Sequence, residues 1–154
     1  MLALCFRAGL ARYAIAAREV VEVLPRLVLR PVVHAPAAVQ GLLGFRGMLI
    51  PVVDLVNLLD GGVCPARLST RLIVVQAPFF SPARTGVRYL ALMAEGVTDL
   101  IKSEQTRPGL KISAARYLGE HLVDIDELPQ LIVASEILPE SLSELFCEVD
   151  EGEA

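Results

Sequence analysis

The sequence contains no tryptophan and few aromatic residues, histidines or cysteines. Its 154 residues include five Phe, three Tyr, two His and three Cys. A nucleic-acid-binding β-barrel needs aromatic platforms and a basic groove. This chain has a net charge of −4 and scattered arginines, so we do not expect it to bind nucleic acid. The cysteines are far apart and form no Cys-x-x-Cys pair, which disfavours a disulfide framework or a zinc site and fits a reducing compartment.

The sequence also lacks a long uncharged apolar run. No stretch of about 18 such residues exists, as a membrane-spanning helix would need, and the longest uncharged stretch, residues 31–45, contains Pro, His and Gln. The apolar start of the chain has no basic region before it, so it does not resemble a secretory signal. With 54% hydrophobic residues, we predict a cytoplasmic protein with a large core and no direct membrane insertion.

Motifs for catalysis are absent. No Gly-x-Ser-x-Gly, His-Glu-x-x-His or phosphate-binding glycine loop occurs, and the only histidines are His34 and His121. His121 lies near several acids, but on a strand it and Asp124 would point to opposite sides. We therefore predict a solvated acidic loop there, no catalytic residue, no metal and no cofactor, and a protein that is not an enzyme.

Charge is divided unevenly between the two halves of the chain. Residues 1–77 carry a net charge of +4 and residues 78–154 a net charge of −8. This asymmetry indicates either two faces suited to different partners or simply an acidic tail at residues 148–154.

Short apolar segments separated by Gly and Pro dominate the sequence and predict a β protein of the barrel or sandwich type. We predict strands over residues 2–6, 12–15, 19–24, 42–45, 49–54, 72–76, 87–93, 97–102 and 129–133. Single helical turns are expected at 36–40 and 56–59, and a helix at 140–147.

The second half of the chain repeats the pattern of the first. Residues 14–24 align with 91–101 at an offset of 77, and residues 52–59 align with 131–138 at an offset of 79. Although any two amphipathic hairpins look somewhat alike, the ordered matches predict two similar β-subdomains.

Arg46 stands between Gly44 and Gly47 inside one of the most apolar stretches of the chain. The glycines allow a tight turn with the arginine at its tip. A guanidinium in such a place faces either an internal acid or a partner. Downstream, Asp54 follows a strand and is expected to cap the turn at 56–59.

The predicted strand at 19–24 carries an acid among valines. Strict alternation places Val20 and Glu22 on one face, which would present an apolar and an acidic group side by side. The alternative is an ordinary half-exposed strand.

These residues together resemble the CheW-like family of chemotaxis coupling proteins. The match includes Gly9, Tyr13, Val20-x-Glu22-Val23, Pro36, Gly41, Arg46-Gly47 and Pro51-Val52-Val53-Asp54-Leu55, with a looser match over residues 91–99 and 130–138. Gly44, Val56, Ala91 and Glu95 depart from the family pattern, so the chain resembles a divergent member.

The resemblance implies an all-β fold of two intertwined five-stranded SH3-like barrels around a shared core, with a short C-terminal helix. The acids at the end of the chain predict a flexible tail over 148–154, and the resemblance implies a single domain over residues 1–147. It also implies a non-enzymatic adaptor that couples the cytoplasmic tips of methyl-accepting chemoreceptors to the regulatory domain of a CheA-type histidine kinase, with other CheW-like domains as further ring partners.

By the same resemblance, the partner-binding residues are Val20, Glu22, Gly41 and Arg46. Two alternatives remain open: a CheW-like protein that competes in or modulates such arrays, and a small β-barrel module that binds a ligand.

Overall fold

The computed structural model describes residues 1–76, 89–98, 100–110, 112 and 115–137. The helical elements in these ranges are α1 (Leu55–Asp60) and two 3-10 turns, Ala17–Glu19 and Ala134–Glu136. The strands are β1 (Leu2–Ala8), β2 (Ala11–Ala16), β3 (Val20–Pro25), β4 (Val39–Phe45), β5 (Met48–Asp54), β6 (Arg71–Gln76), β7 (Tyr89–Ala94), β8 (Leu100–Lys102), β9 (Thr106–Arg107), β10 (Leu118–Leu122) and β11 (Gln130–Ile132).

Every strand predicted from the sequence overlaps an observed strand, and the helical turn at 56–59 is confirmed as part of α1. The predicted helical turn at 36–40 is wrong. The chain makes one turn there, with the Val39 N–H donating to the Pro36 carbonyl at 2.9 Å, and Val39 then enters β4. Residues 87–88 of one predicted strand and the predicted helix at 140–147 lie outside the described residues.

The two sheets have the same internal order. One runs β3-β6-β7-β5-β4 and the other β8-β1-β2-β11-β10, to which the two-residue strand β9 adds a sixth member. Each contains one parallel pair, β5 with β7 and β2 with β11. The all-β fold with two similar subdomains is therefore confirmed, and one sheet has six strands where five were expected.

The parallel pairs also show how the halves of the chain interleave. Ala14 lies opposite Leu131 in one sheet, and Ala91 lies opposite Val52 in the other. In the sequence repeat, Ala14 is equivalent to Ala91 at the offset of 77, and Val52 is equivalent to Leu131 at the offset of 79. Each sheet thus joins a strand from one half of the chain to a strand from the other, which links the two subdomains.

A shared core lies between the sheets. Its buried side chains come from both, for example Leu4, Phe6 and Ile15 from one sheet and Val53, Ile73 and Leu92 from the other. Each sheet also has a smaller apolar cluster on its other face. Because β6 and β7 are covered on both faces, their sequences are continuously apolar rather than alternating.

Candidate partner-binding surface

The predicted turn at Arg46 is confirmed as the two-residue loop of the β4–β5 hairpin. Phe45 pairs with Met48, and the two loop residues, Arg46 and Gly47, have φ angles of 50° and 76°. Positive φ at both loop positions is the signature of a type I′ turn, whose twist matches that of the flanking strands. The hairpin therefore carries a solvent-exposed arginine at its tip.

The Arg46 side chain folds over an aromatic pair. Its guanidinium carbon lies 4.9 Å from the ring centroid of Phe45 and 5.9 Å from that of Tyr89. The two rings meet edge to face at 5.4 Å. Cation–π contacts of this kind contribute about 0.5–1 kcal/mol at exposed sites, so the guanidinium has a preferred position.

An internal acid for Arg46 is not found in the part of the chain that the structure describes. The ion pairs of the described residues are Arg7–Glu127, Arg67–Glu95, Lys102–Glu104 and Arg116–Glu136. The sequence left two interpretations of Arg46, an internal salt bridge or a contact with a partner. The described residues offer no support for the internal salt bridge. They leave a positioned, exposed cation.

The prediction that Val20 and Glu22 share one face is wrong. A β-bulge shifts the register of β3, so that Val20 lies opposite Val75 and Glu22 opposite Val74. Because the bulge inserts Val21, Val20 packs on the shared core, whereas Glu22 lies exposed on the other face. Bulges re-aim side chains in this way, and sequence alternation alone does not show them.

Gly41 is buried and has a structural role that its sequence context did not indicate. Its φ is 149°, and a Cβ at this position would lie 2.6 Å from the carbonyl oxygen of Arg30. The glycine allows the chain near Arg30 to approach β4, where the Arg30 N–H donates to the Leu42 carbonyl at 2.8 Å. Gly41 thus allows the backbone at Arg30 to pair with the β4 edge.

Gly41→Ala is expected to lower the free energy of unfolding by about 2–3 kcal/mol, because a methyl group would meet backbone and the φ angle is strained for an L-residue. Gly44→Ala on the same strand is the matched control, since no heavy atom lies within 4 Å of its added Cβ. Urea unfolding of both variants tests this. Equal stability of the two would show that the close approach to Arg30 does not matter.

The four predicted site residues do not form one patch. Gly41 and Arg46 belong to the β4–β5 hairpin, whereas Val20 and Glu22 lie on β3. These elements are at opposite edges of the five-stranded sheet. The structure therefore places Gly41 and Arg46 on one hairpin, five residues apart, and separates both from Val20 and Glu22.

Asp54 has the predicted capping role. Its fully buried carboxylate accepts hydrogen bonds from the N–H groups of Val56 at 2.9 Å, Asn57 at 3.2 Å and Cys64 at 2.8 Å. The first two satisfy donors at the start of α1, and the third holds the loop after α1. Burial, with the carboxylates of Asp54 and Glu95 nearby, raises the pKa of the Cys64 thiol to about 11.

Around His121, the acidic side chain of Asp124 and the histidine ring have separate hydrogen-bond partners. Asp124 accepts hydrogen bonds from the Glu104 N–H at 2.8 Å and the Ser103 hydroxyl at 2.6 Å, and these bonds lower the pKa of its carboxyl. The ring of His121 contacts the Leu128 carbonyl instead. Within the described ranges, no group of three or more His, Cys, Asp or Glu side chains could hold a metal ion.

Comparison with known proteins gives the family. A family model described as the CheW-like domain matches residues 2–132. The chain belongs to the CheW-like family. Protein FrzA of Myxococcus xanthus is 37% identical over 70 residues, a stretch covering 46% of this chain and 44% of FrzA. The aligned region thus spans less than half of that relative.

The fold comparison agrees with the family. The crystal structure of scaffolding protein TtCheW from Thermoanaerobacter tengcongensis matches with a TM-score of 0.72 at 18% identity, covering 85% of this chain and 82% of that one. This similarity confirms the predicted CheW fold of two SH3-like barrels. TtCheW is described as a scaffolding protein, which is consistent with the prediction that this chain is not an enzyme.

Sequence reasoning missed the aromatic pair beneath Arg46. Phe45 was detectable, because it directly precedes the arginine in a hairpin and is therefore within reach of its side chain. Tyr89 begins β7, which is separated from β4 by β5. Its contact with Phe45 depends on the sheet order, so no local signal could have shown it.

Proposed function

We propose that this CheW-like protein is a non-enzymatic cytoplasmic adaptor that couples chemoreceptor tips to the regulatory domain of a CheA-type histidine kinase. The observation that carries the proposal is the family match over residues 2–132. It is supported by a β4–β5 hairpin that displays one cation on an aromatic platform. Among the described residues, no helix is both long enough and apolar enough to cross a membrane.

The two edges of the five-stranded sheet supply the proposed partner contacts. At the β4 edge, Arg46 pairs with an acidic group of the partner. Gly41 contributes indirectly, because it leaves room for the Arg30 backbone that pairs with this edge. At the β3 edge, Glu22 offers an acid, and Val20 anchors the strand to the shared core. Contacts at separate edges allow two partners to bind one adaptor, so that a receptor rearrangement can shift the population of active kinase.

Arg46→Glu is expected to weaken binding to the purified regulatory domain of the CheA-type kinase by roughly 1–3 kcal/mol, since a charged residue at an interface hot spot would be reversed. The thermal melting curve should stay cooperative, because Arg46 is exposed. Titration calorimetry measures the affinity. Unchanged affinity would exclude Arg46 from this interface, and loss of the folded state would make it structural.

Two further variants separate the causes of a weakened affinity. Arg46→Lys keeps the charge but loses the planar group that stacks on the rings, so an intermediate affinity is expected. Arg107→Glu changes the net charge equally on β9 of the other sheet, where the side chain is exposed. A loss as large as that of Arg46→Glu would mean that overall charge, not the hairpin tip, controls binding.

A further inference from the structure

The segment that joins β3 to β4, residues 26–38, displays apolar side chains that the fold does not use. Val28 is 99% exposed, Val33 77% and Leu27 43%. Their neighbour Leu29 packs on the outer apolar cluster of the five-stranded sheet, and Val32 packs on the shared core. Residues 26–34 are named the connector surface below.

This connector is held in place rather than hanging free. Arg30 and Leu42 exchange two backbone hydrogen bonds of 2.8 and 2.7 Å, and Gly41 leaves room for the Arg30 carbonyl. The outward valines are therefore presented by an anchored backbone. Exposed apolar groups that form a contiguous patch bordered by polar residues typically mark a contact surface.

The charge of the connector surface is positive. No Asp or Glu occurs between Glu22 and Asp54, a stretch that contains Arg26, Arg30 and Arg46. No carboxylate of the described residues forms an ion pair with Arg26 or Arg30. An occupant should thus be acidic and carry apolar side chains at short spacing.

The chain itself contains a segment of that chemistry. Residues 140–153, which lie outside the described residues, include no Lys or Arg. Their apolar members are Leu142, Leu145, Phe146 and Val149, and their acids are Glu140, Glu144, Glu148, Asp150, Glu151 and Glu153.

We propose that the acidic segment 140–153 docks on the connector surface of the same molecule. Leucines and Phe146 cover Val28 and Val33, and the carboxylates meet Arg26 and Arg30. The described chain ends at Ile137, which is buried in the shared core, the same cluster on which Val32 of the connector packs. An extended chain covers up to about 3.3 Å per residue, so the segment can reach the connector.

The docking itself requires no partner protein. It therefore stands or fails independently of the proposed adaptor function.

A nitroxide on Cys147 of the full chain tests the docking. Cys5 and Cys64 are buried, with raised thiol pKa values, so labelling near neutral pH favours Cys147, and mass spectrometry checks for a single label. We expect the nitroxide to remove amide NMR intensity at Leu27, Val28 and Val33. Because screening shortens to about 3 Å at 1 M salt, the intensity should recover there.

Charge reversal supplies the matched comparison. Arg26→Glu with Arg30→Glu should restore the amide intensity, and adding Glu148→Lys with Asp150→Lys should remove it again. Arg18→Glu with Arg107→Glu changes the net charge equally at other exposed sites and should leave the intensity loss in place.

Three results would overturn the proposal. One is an absent or evenly spread intensity loss in the wild type, as a free tail would give. Another is an intensity loss that survives reversal of Arg26 and Arg30. The third is a loss that appears when spin-labelled and isotope-labelled molecules are mixed, because the segment would then bind a second copy.

Discussion

Val53→Asp is expected to abolish the folded state. Val53 is 1% exposed in the shared core and lies on β5 between β4 and β7, opposite Val39 and Leu92. A carboxylate there would be buried without a partner, which costs far more than a neutral substitution. Since small domains are stable by only about 5–15 kcal/mol, one such charge suffices to unfold this one.

Val53→Ala separates the charge from the lost packing. It removes two methyl groups and should cost about 2 kcal/mol, within the range for core truncations, so the protein should still melt cooperatively at a lower temperature. Circular dichroism melts and amide spectra of both variants give the answer. A Val53→Asp protein that is soluble and melts cooperatively would refute the placement of β5 in the core.

Asp54→Ala is expected to lower the free energy of unfolding by about 3–5 kcal/mol. The change removes the helix cap and so leaves the buried N–H groups of Val56 and Cys64 without their acceptor. Each buried group without a partner costs about 1–3 kcal/mol. Denaturant unfolding measures the loss, and hydrogen exchange should show faster opening of α1 and the following loop.

Asp60→Ala is the control for this substitution, because Asp60 is an exposed acid at the other end of α1. It should change stability by no more than about 0.5 kcal/mol. Asp54→Asn keeps an acceptor for the helix but turns an NH₂ group toward the Cys64 N–H, so an intermediate loss is expected. If Asp54→Ala were no worse than Asp60→Ala, the cap would not stabilise the fold.

The local pattern of the chain allowed its elements and the Arg46 turn to be predicted. Apolar runs ending at Gly and Pro gave the long strands, and glycines around Arg46 gave the hairpin tip. The short strands β9 and β10 escaped prediction. Residues 118–122 include Gly119 and Glu120, which disfavour a strand locally, and pairing with β11 and β9 overrides that preference.

The candidate site was only partly predictable, because it depends on contacts between distant segments and on the register of β3. Gly41 looked like a contact residue, but the close approach of Arg30 comes from a chain segment eleven positions earlier. The bulge at Val21 reversed the relation between Val20 and Glu22. A single inserted residue changes which face every later side chain occupies.

The sequence by itself determined the β class, the two-fold repeat, the capping role of Asp54 and the family, because each depends on local spacing or on residue types in order. Only the tertiary structure decided how strands from the two halves interleave, which face Glu22 occupies and what lies under Arg46. These features depend on pairing between distant segments, whose partners local preferences do not specify.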